Sequence, residues 1–216
     1  MSSTARSQVK AKRRNKKTAE SFIAPNLLER QFHANKLREK LVTDVTEFKV
    51  GNEKLYLSPM MDLANREIIA YSISRRPSFG LVSRMLKQTL SQLRETECPI
   101  IHSDQGGLYR SRHWRQMLIR ENGEPYAIQS MSRKGNCWDN TVIESFFSTL
   151  KSECFYLNKF DNVEQPEQSL HRYIRYYNEE RIKPHLKNMS PVQYRAHYLS
   201  QPALSNFWGA DHLTIS

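Results

Sequence analysis

The chain has 216 residues, 38% of them hydrophobic, and a formal net charge of +11. That length suits one ordinary domain with tails, and the charge points to a polyanion, nucleic acid first, as partner. No signal peptide and no long apolar run is seen, which excludes secreted and membrane-spanning classes and predicts a cytoplasmic protein with no membrane partner. Cys98, Cys137 and Cys154 are odd in number and match no zinc spacing, so they read as small, buried, reduced residues.

Residues 1–24 form a basic tail expected to be disordered; Arg6, Lys10, Lys12, Arg13, Arg14, Lys16 and Lys17 stand there without an acid before Glu20. Residues 25–40 are a charged connector. Residues 41–48 and 54–61 are β-branched or apolar runs separated by Gly51-Asn52, a hairpin signal. A third strand is predicted over 66–73, completing an antiparallel meander. Leu81, Val82, Met85, Leu86, Leu90 and Leu93 keep helical spacing and predict a helix over 78–95. A short apolar strand, 99–104, ends in Asp104 before Gln105-Gly-Gly107. A helix carrying Trp114, Met117 and Leu118 and a strand over 126–131 follow. After a loop, 132–140, helices are predicted over 141–155 and 165–182, the latter stopped near Pro184. The predicted fold is α/β: a mixed five-stranded sheet, three antiparallel strands and then two more, flanked by helices. The core spans 41–160, a helical extension 161–199, and a loosely ordered tail 200–216.

Two acids stand on otherwise apolar strands. Asp44 lies among Val42, Val45 and Thr46, and Asp104 ends its strand at a glycine break. A carboxylate so placed needs a partner or a metal. Glu144 is the third, at the edge of an apolar helical stripe with Ser148 and Lys151 on its own face. Each also has an ordinary structural reading. Asp44 suits a local hydrogen bond, Asp104 a turn, and Thr141–Glu144 a capping box.

The runs Val42-Thr-Asp-Val-Thr46, His102-Ser-Asp-Gln-Gly106, Ser130-Met-Ser-Arg-Lys-Gly-Asn-Cys-Trp-Asp-Asn140 and Glu144-Ser-Phe-Phe-Ser-Thr-Leu-Lys151 resemble the OrfB-type insertion-sequence transposases, members of the retroviral integrase superfamily. Tyr177-Asn-Glu-Glu-Arg181 and Met189-Ser-Pro-Val-Gln-Tyr194 are similar to that family's closing motif. The resemblance covers residues 12 to 198 or so. It implies an RNase H-like fold, with Asp44, Asp104 and Glu144 as catalytic, metal-binding carboxylates and Lys151 as a DNA-contacting cation. It further implies phosphoryl transfer with Mg²⁺, Mn²⁺ being the expected substitute. Transposon ends and target DNA are the implied substrates, and the implied setting is a bacterial, nucleoid-associated homo-oligomer.

Three departures from the family stand out. Leu41 replaces a usual tryptophan. The 39 residues between Asp104 and Glu144 exceed the usual spacing, the excess falling in 120–127. No helix-turn-helix region precedes the first strand, so the chain reads as N-terminally truncated, its end recognition expected from an upstream helix-turn-helix partner or fusion.

Arg133 and Lys134 join Lys151 as candidate DNA contacts. Trp138 suits base stacking, but packing under the helix is the expected placement. His102 is read as a structural histidine. Arg172, Arg175, Arg181 and Lys183 either follow a DNA backbone or form the wet face of the last helix. The expected function is a transposase catalytic core that cleaves and transfers DNA strands in transposition and integration. The alternatives are a catalytically inactive DNA-binding remnant and a structure-selective nuclease on the same fold.

Overall fold

The computed structural model describes residues 22–201. The basic tail up to residue 21, and the last tail from residue 202, lie outside the described residues. The strands are β1 (Lys40–Thr43), β2 (Thr46–Val50), β3 (Glu53–Asp62), β4 (Ile68–Ser74), β5 (Ile100–Ser103) and β6 (Ile128–Met131). The helices are α1 (Phe79–Leu90), α2 (Arg112–Met117), α3 (Thr141–Leu150), α4 (Glu164–Glu179) and α5 (Pro191–Ser200).

The sheet has six strands rather than five, because the run 41–48 breaks at Asp44 and Val45. β1 and β2 pair with successive parts of β3 in one continuous antiparallel register, Thr43 opposite Met60 and Thr46 opposite Leu57. That register puts Pro59 across from Asp44. Pro59 has no N–H to give to the ladder, and the Asp44 carboxylate takes the Val45 N–H instead, at 2.7 Å. Gly51 closes the hairpin with φ +58, the positive angle a two-residue hairpin turn demands and glycine adopts at little cost. β4 covers the other edge of β3, while β1 continues into a parallel set with β5 and β6.

Both faces of the sheet are covered. Neighbours in one strand point to opposite faces, so Leu41 and Met60 enter a core with α1, Tyr109 and Trp114, while Val42 and Met61 enter a second core with α3 and α4. The helix over 78–95 is shorter than expected, and the one over 141–155 ends at Leu150 in a wider turn, Lys151–Phe155. α5 is an addition within the helical extension. Ser190 and Gln193 form its capping box and Pro191 starts it. Within the excess residues 120–127, residues 121–125 form an exposed turn pinned by an Ile119–Pro125 bridge, and Ala127 returns to the core. Cys154 is buried as expected, but Cys98 is exposed, on the turn after α1.

Candidate active site

The parallel register is what builds the site. Val42 faces His102 across β1 and β5, and Ser103 faces Met131 across β5 and β6. Two residues further on, Asp44 and Asp104 emerge side by side from adjacent strands about 4.8 Å apart. Ser132 leaves β6 at the same level. The carboxyl ends of parallel strands are where open α/β sheets gather ligands. α3 crosses this end and brings Glu144 to the same open cavity, of about 510 Å³. Arg133 and Lys134 line it too, so five of the six sequence candidates meet there. Lys151 does not. It sits in the turn after α3, its ammonium 5.6 Å from the Phe48 ring centroid.

The two strand acids are held locally. Asp104 Oδ1 accepts from the Gly106 N–H at 2.9 Å. Asp44 accepts from Val45 N–H and, through Oδ2, from Asn140 Nδ2 at 3.2 Å. Glu144 is exposed in the first turn of α3 and takes no part in a capping box. The cap residue is Asn140, which makes no side-chain cap bond, and the Thr141 hydroxyl donates to the Trp138 carbonyl. Burial, then the charges of Asp104 and Glu144, push the Asp44 carboxyl up to about 7, against a lowering bond from Val45.

Asn140, unremarked in the sequence, links Asp44 to the start of the helix that carries Glu144. Its Oδ1 is buried without a partner among the described residues, and so is that of Asn136 on the same cavity wall. An orphaned oxygen there adds a neutral donor to a set of hard oxygens, the set that suits Mg²⁺. Among the described residues no three His, Cys, Asp or Glu side chains stand close enough, as placed, to hold one ion. The residues fit a divalent cation by donor chemistry and shared cavity, with side-chain rotation needed to close around it.

The loop ahead of α3 is fixed by Asp139, whose side chain is fully buried. It accepts from Asn26 Nδ2, Arg30 Nε, and the backbone N–H, Nε and Nη2 of Arg133, all at 3.0–3.1 Å. Chiefly the Arg133 bond holds the carboxyl far below the usual range. Arg133 is therefore half committed to the loop, while Lys134 is exposed. His102 is structural, as expected: buried, bonded to Ser130 Oγ at 2.8 Å and the Asp139 carbonyl at 3.0 Å, and pushed down to about 4 by burial. Trp138 corrects the expectation of packing. Asp139 and Asn140 turn inward beside it, and the indole is left 66% exposed.

Residues 34–137 and 144–199 match the integrase core domain family. The chain is 52% identical over 172 residues to the putative transposase InsK of insertion sequence IS150 from Escherichia coli, covering 80% of this chain and 59% of that one. It is also 52% identical over 178 residues to an uncharacterized transposase-like protein of Haemophilus influenzae, covering 82% of this chain and 80% of the relative. The fold is similar to a chain of the simian T-cell lymphotropic virus intasome, with TM-score 0.62 and 16% identity over 91% of this chain and 63% of that one. The HTLV-2 integrase catalytic core, solved in complex with magnesium, gives TM-score 0.54 and 14% identity, covering 73% and 95%. These neighbours identify the sheet and its helices as the RNase H-like fold of retroviral integrase cores.

Proposed function

The chain belongs to the insertion-sequence transposases built on an integrase core domain, and from that premise we propose that it cleaves and joins DNA strands through Asp44, Asp104 and Glu144. The observation that supports this most is the register that sets Asp44 beside Asp104 at the open end of the sheet, with Glu144 on the same cavity. The three carboxylates hold Mg²⁺, the ion named for the HTLV-2 core, with Mn²⁺ as substitute. When bound, such ions polarise the scissile phosphate and stabilise the entering and leaving oxygens of an in-line displacement.

The chain's own residues do the rest. Asp44 gives up, in exchange for the cation, the proton that burial, and then its neighbours' charge, lets it keep. Asn140 steadies the Asp44 oxygen that it bonds. Lys134 and the exposed edge of Arg133 hold phosphates next to the reacting one, and Lys151, beyond the cavity, holds one further along the strand. DNA at transposon ends and at the target is the substrate, and a homo-oligomer the working form. An upstream helix-turn-helix segment or partner supplies end recognition, in a soluble bacterial setting at the nucleoid. No helix among the described residues is long and apolar enough to cross a membrane.

The test is nicking and strand transfer on duplex DNA bearing the repeats that flank the gene, with Mg²⁺ or Mn²⁺. Wild type is expected to act, and Asp104→Asn to lose about 10²- to 10³-fold or more, the scale of removing one principal electrostatic stabiliser. Wild type as inert as Asp104→Asn sinks the catalytic reading and leaves a DNA-binding remnant. Cleavage of branched DNA without end sequences favours a structure-selective nuclease.

A further inference from the structure

We propose that a second cavity, on the flank of α3 next to Glu144, is a binding site for a phosphate group, formed by Arg66, Lys183 and His185. The cavity measures about 300 Å³, and three basic side chains line it with no carboxylate among its walls. Thr141, Ser145 and Thr149 of α3 form one wall. That strip is turned by roughly 60° to 140° around the helix from Glu144, at about 100° per residue.

The sequence places Lys183 either along a DNA backbone or on the wet face of the last helix, and the structure sets it inside: it is 8% exposed. Its ammonium donates to the Tyr177 hydroxyl at 2.8 Å and lies 4.1 Å from that ring's centroid, both neutral partners. The Arg66 guanidinium donates through Nη2 to the Phe32 carbonyl, while Nη1 is buried without a partner among the described residues. Arg66 also holds φ +61, a left-handed angle uncommon for a bulky side chain. Neither cation makes an ion pair among the described residues.

The nearest acids are engaged elsewhere. Glu153 is held by Arg181 and Tyr173, and Asp62 accepts from the backbone N–H groups of Arg38 and Ala64. Burial, then the charges of Arg181 and Arg66, push Lys183 down to about 8. Buried cations without a counter-charge are costly, and a compact oxyanion in the cavity removes that cost. A phosphate matches the donors: a guanidinium fork, an ammonium, an imidazole and the Ser145 hydroxyl. The group comes either from a DNA backbone lying along α3 or from free phosphate in solution.

Thermal unfolding of the full chain in inorganic phosphate, against KCl of equal ionic strength, tests the site. Wild type is expected to gain several degrees in Tm beyond KCl, saturating with concentration. Lys183→Met, which removes an unneutralised charge, is expected to stay folded by circular dichroism and to lose the phosphate-specific gain. His185→Gln, at the exposed rim, is expected to weaken it several-fold. The source is read from binding to a duplex of arbitrary sequence. If the site takes a DNA phosphate, Lys183→Met lowers affinity and flattens the salt dependence by about one counter-ion. If it takes free phosphate, DNA affinity is unchanged while the Tm response is lost. A wild type that responds to phosphate no more than to KCl overturns the proposal, as does a Lys183→Met that keeps the full response. Asp104→Asn is expected to keep it, so failure here and failure of the catalytic reading are told apart.

Discussion

Gly106 decides where the Asp104 carboxylate rests. A Cβ there would stand 2.8 Å from Asp104 Oδ1 and 3.3 Å from Oδ2. The φ of Gly106 is not in the left-handed region, so the backbone tolerates a side chain and the carboxylate must give way. Gly106→Ala is therefore expected to change stability by less than about 1 kcal/mol, since the clash is with the end of a side chain that rotates about its own bonds. It is expected to lower strand cleavage at least tenfold by turning an oxygen away from the ion, because metal sites need ligands held within about 0.5 Å. Denaturant unfolding and cleavage measured on one preparation check the pair. A variant that cleaves normally would show that the Asp104 position is not critical. Asp104 itself was legible in the sequence from its apolar strand and glycine break. Gly106 was legible only as a strand breaker, because its closeness to the carboxylate depends on how the chain turns back.

At the level of elements, strands and helices followed from residue patterns, and their interruptions did not. The Gly51-Asn52 hairpin, the 126–131 strand and the α3 stripe are local signals, and they stand where the pattern puts them. The break at Asp44 depends on Pro59 across the ladder, a long-range partner that no window around Asp44 reveals. The loop 132–140 hides a stronger example. Asp139 looked like one polar loop residue, yet it fastens that loop to the segment holding Asn26 and Arg30, more than 100 residues away in sequence. Asp139→Ala removes every acceptor from that cluster. Arg30 and Arg133 regain water, with side chains 49% and 59% exposed, so the loss is mainly of the bonds themselves. The expected cost is about 2 kcal/mol, the scale of charge-assisted hydrogen bonds. The sharper expectation is local: backbone amides of 133–140 exchange hydrogen faster while those of β3 and β4 keep their protection. Uniform loss of protection would mean that the cluster holds the whole fold rather than the loop.

For the whole molecule, the site joins carboxylates from residues 44, 104 and 144, so any ion they share stabilises the entire fold. Burial of Asp44, reinforced by the charges of Asp104 and Glu144, sets the sign of the pH dependence. The Asp44 carboxyl is raised from 3.8 to about 7, so between those values the native state holds a proton that the unfolded chain has lost. Stability from this group is therefore full below about pH 4 and falls as pH rises toward 7. Asp62, raised to about 6 by burial, acts in the same direction, while His102, lowered to about 4, acts in the opposite one. The Asp44 contribution is thus read as the difference between wild type and Asp44→Asn. Without divalent ions, the variant is expected to gain on wild type from pH 4 to pH 8, by on the order of 3 kcal/mol. Addition of Mg²⁺ at pH 8 is expected to raise the Tm of wild type and to leave Asp44→Asn nearly unmoved, because the cation replaces the proton that Asp44 releases. Urea unfolding across pH, with and without Mg²⁺, measures both effects. Parallel pH curves for the two proteins would mean that neither burial nor its neighbours raise the Asp44 carboxyl in the folded state. An equal Mg²⁺ response in both would place the ion away from the sheet's open end.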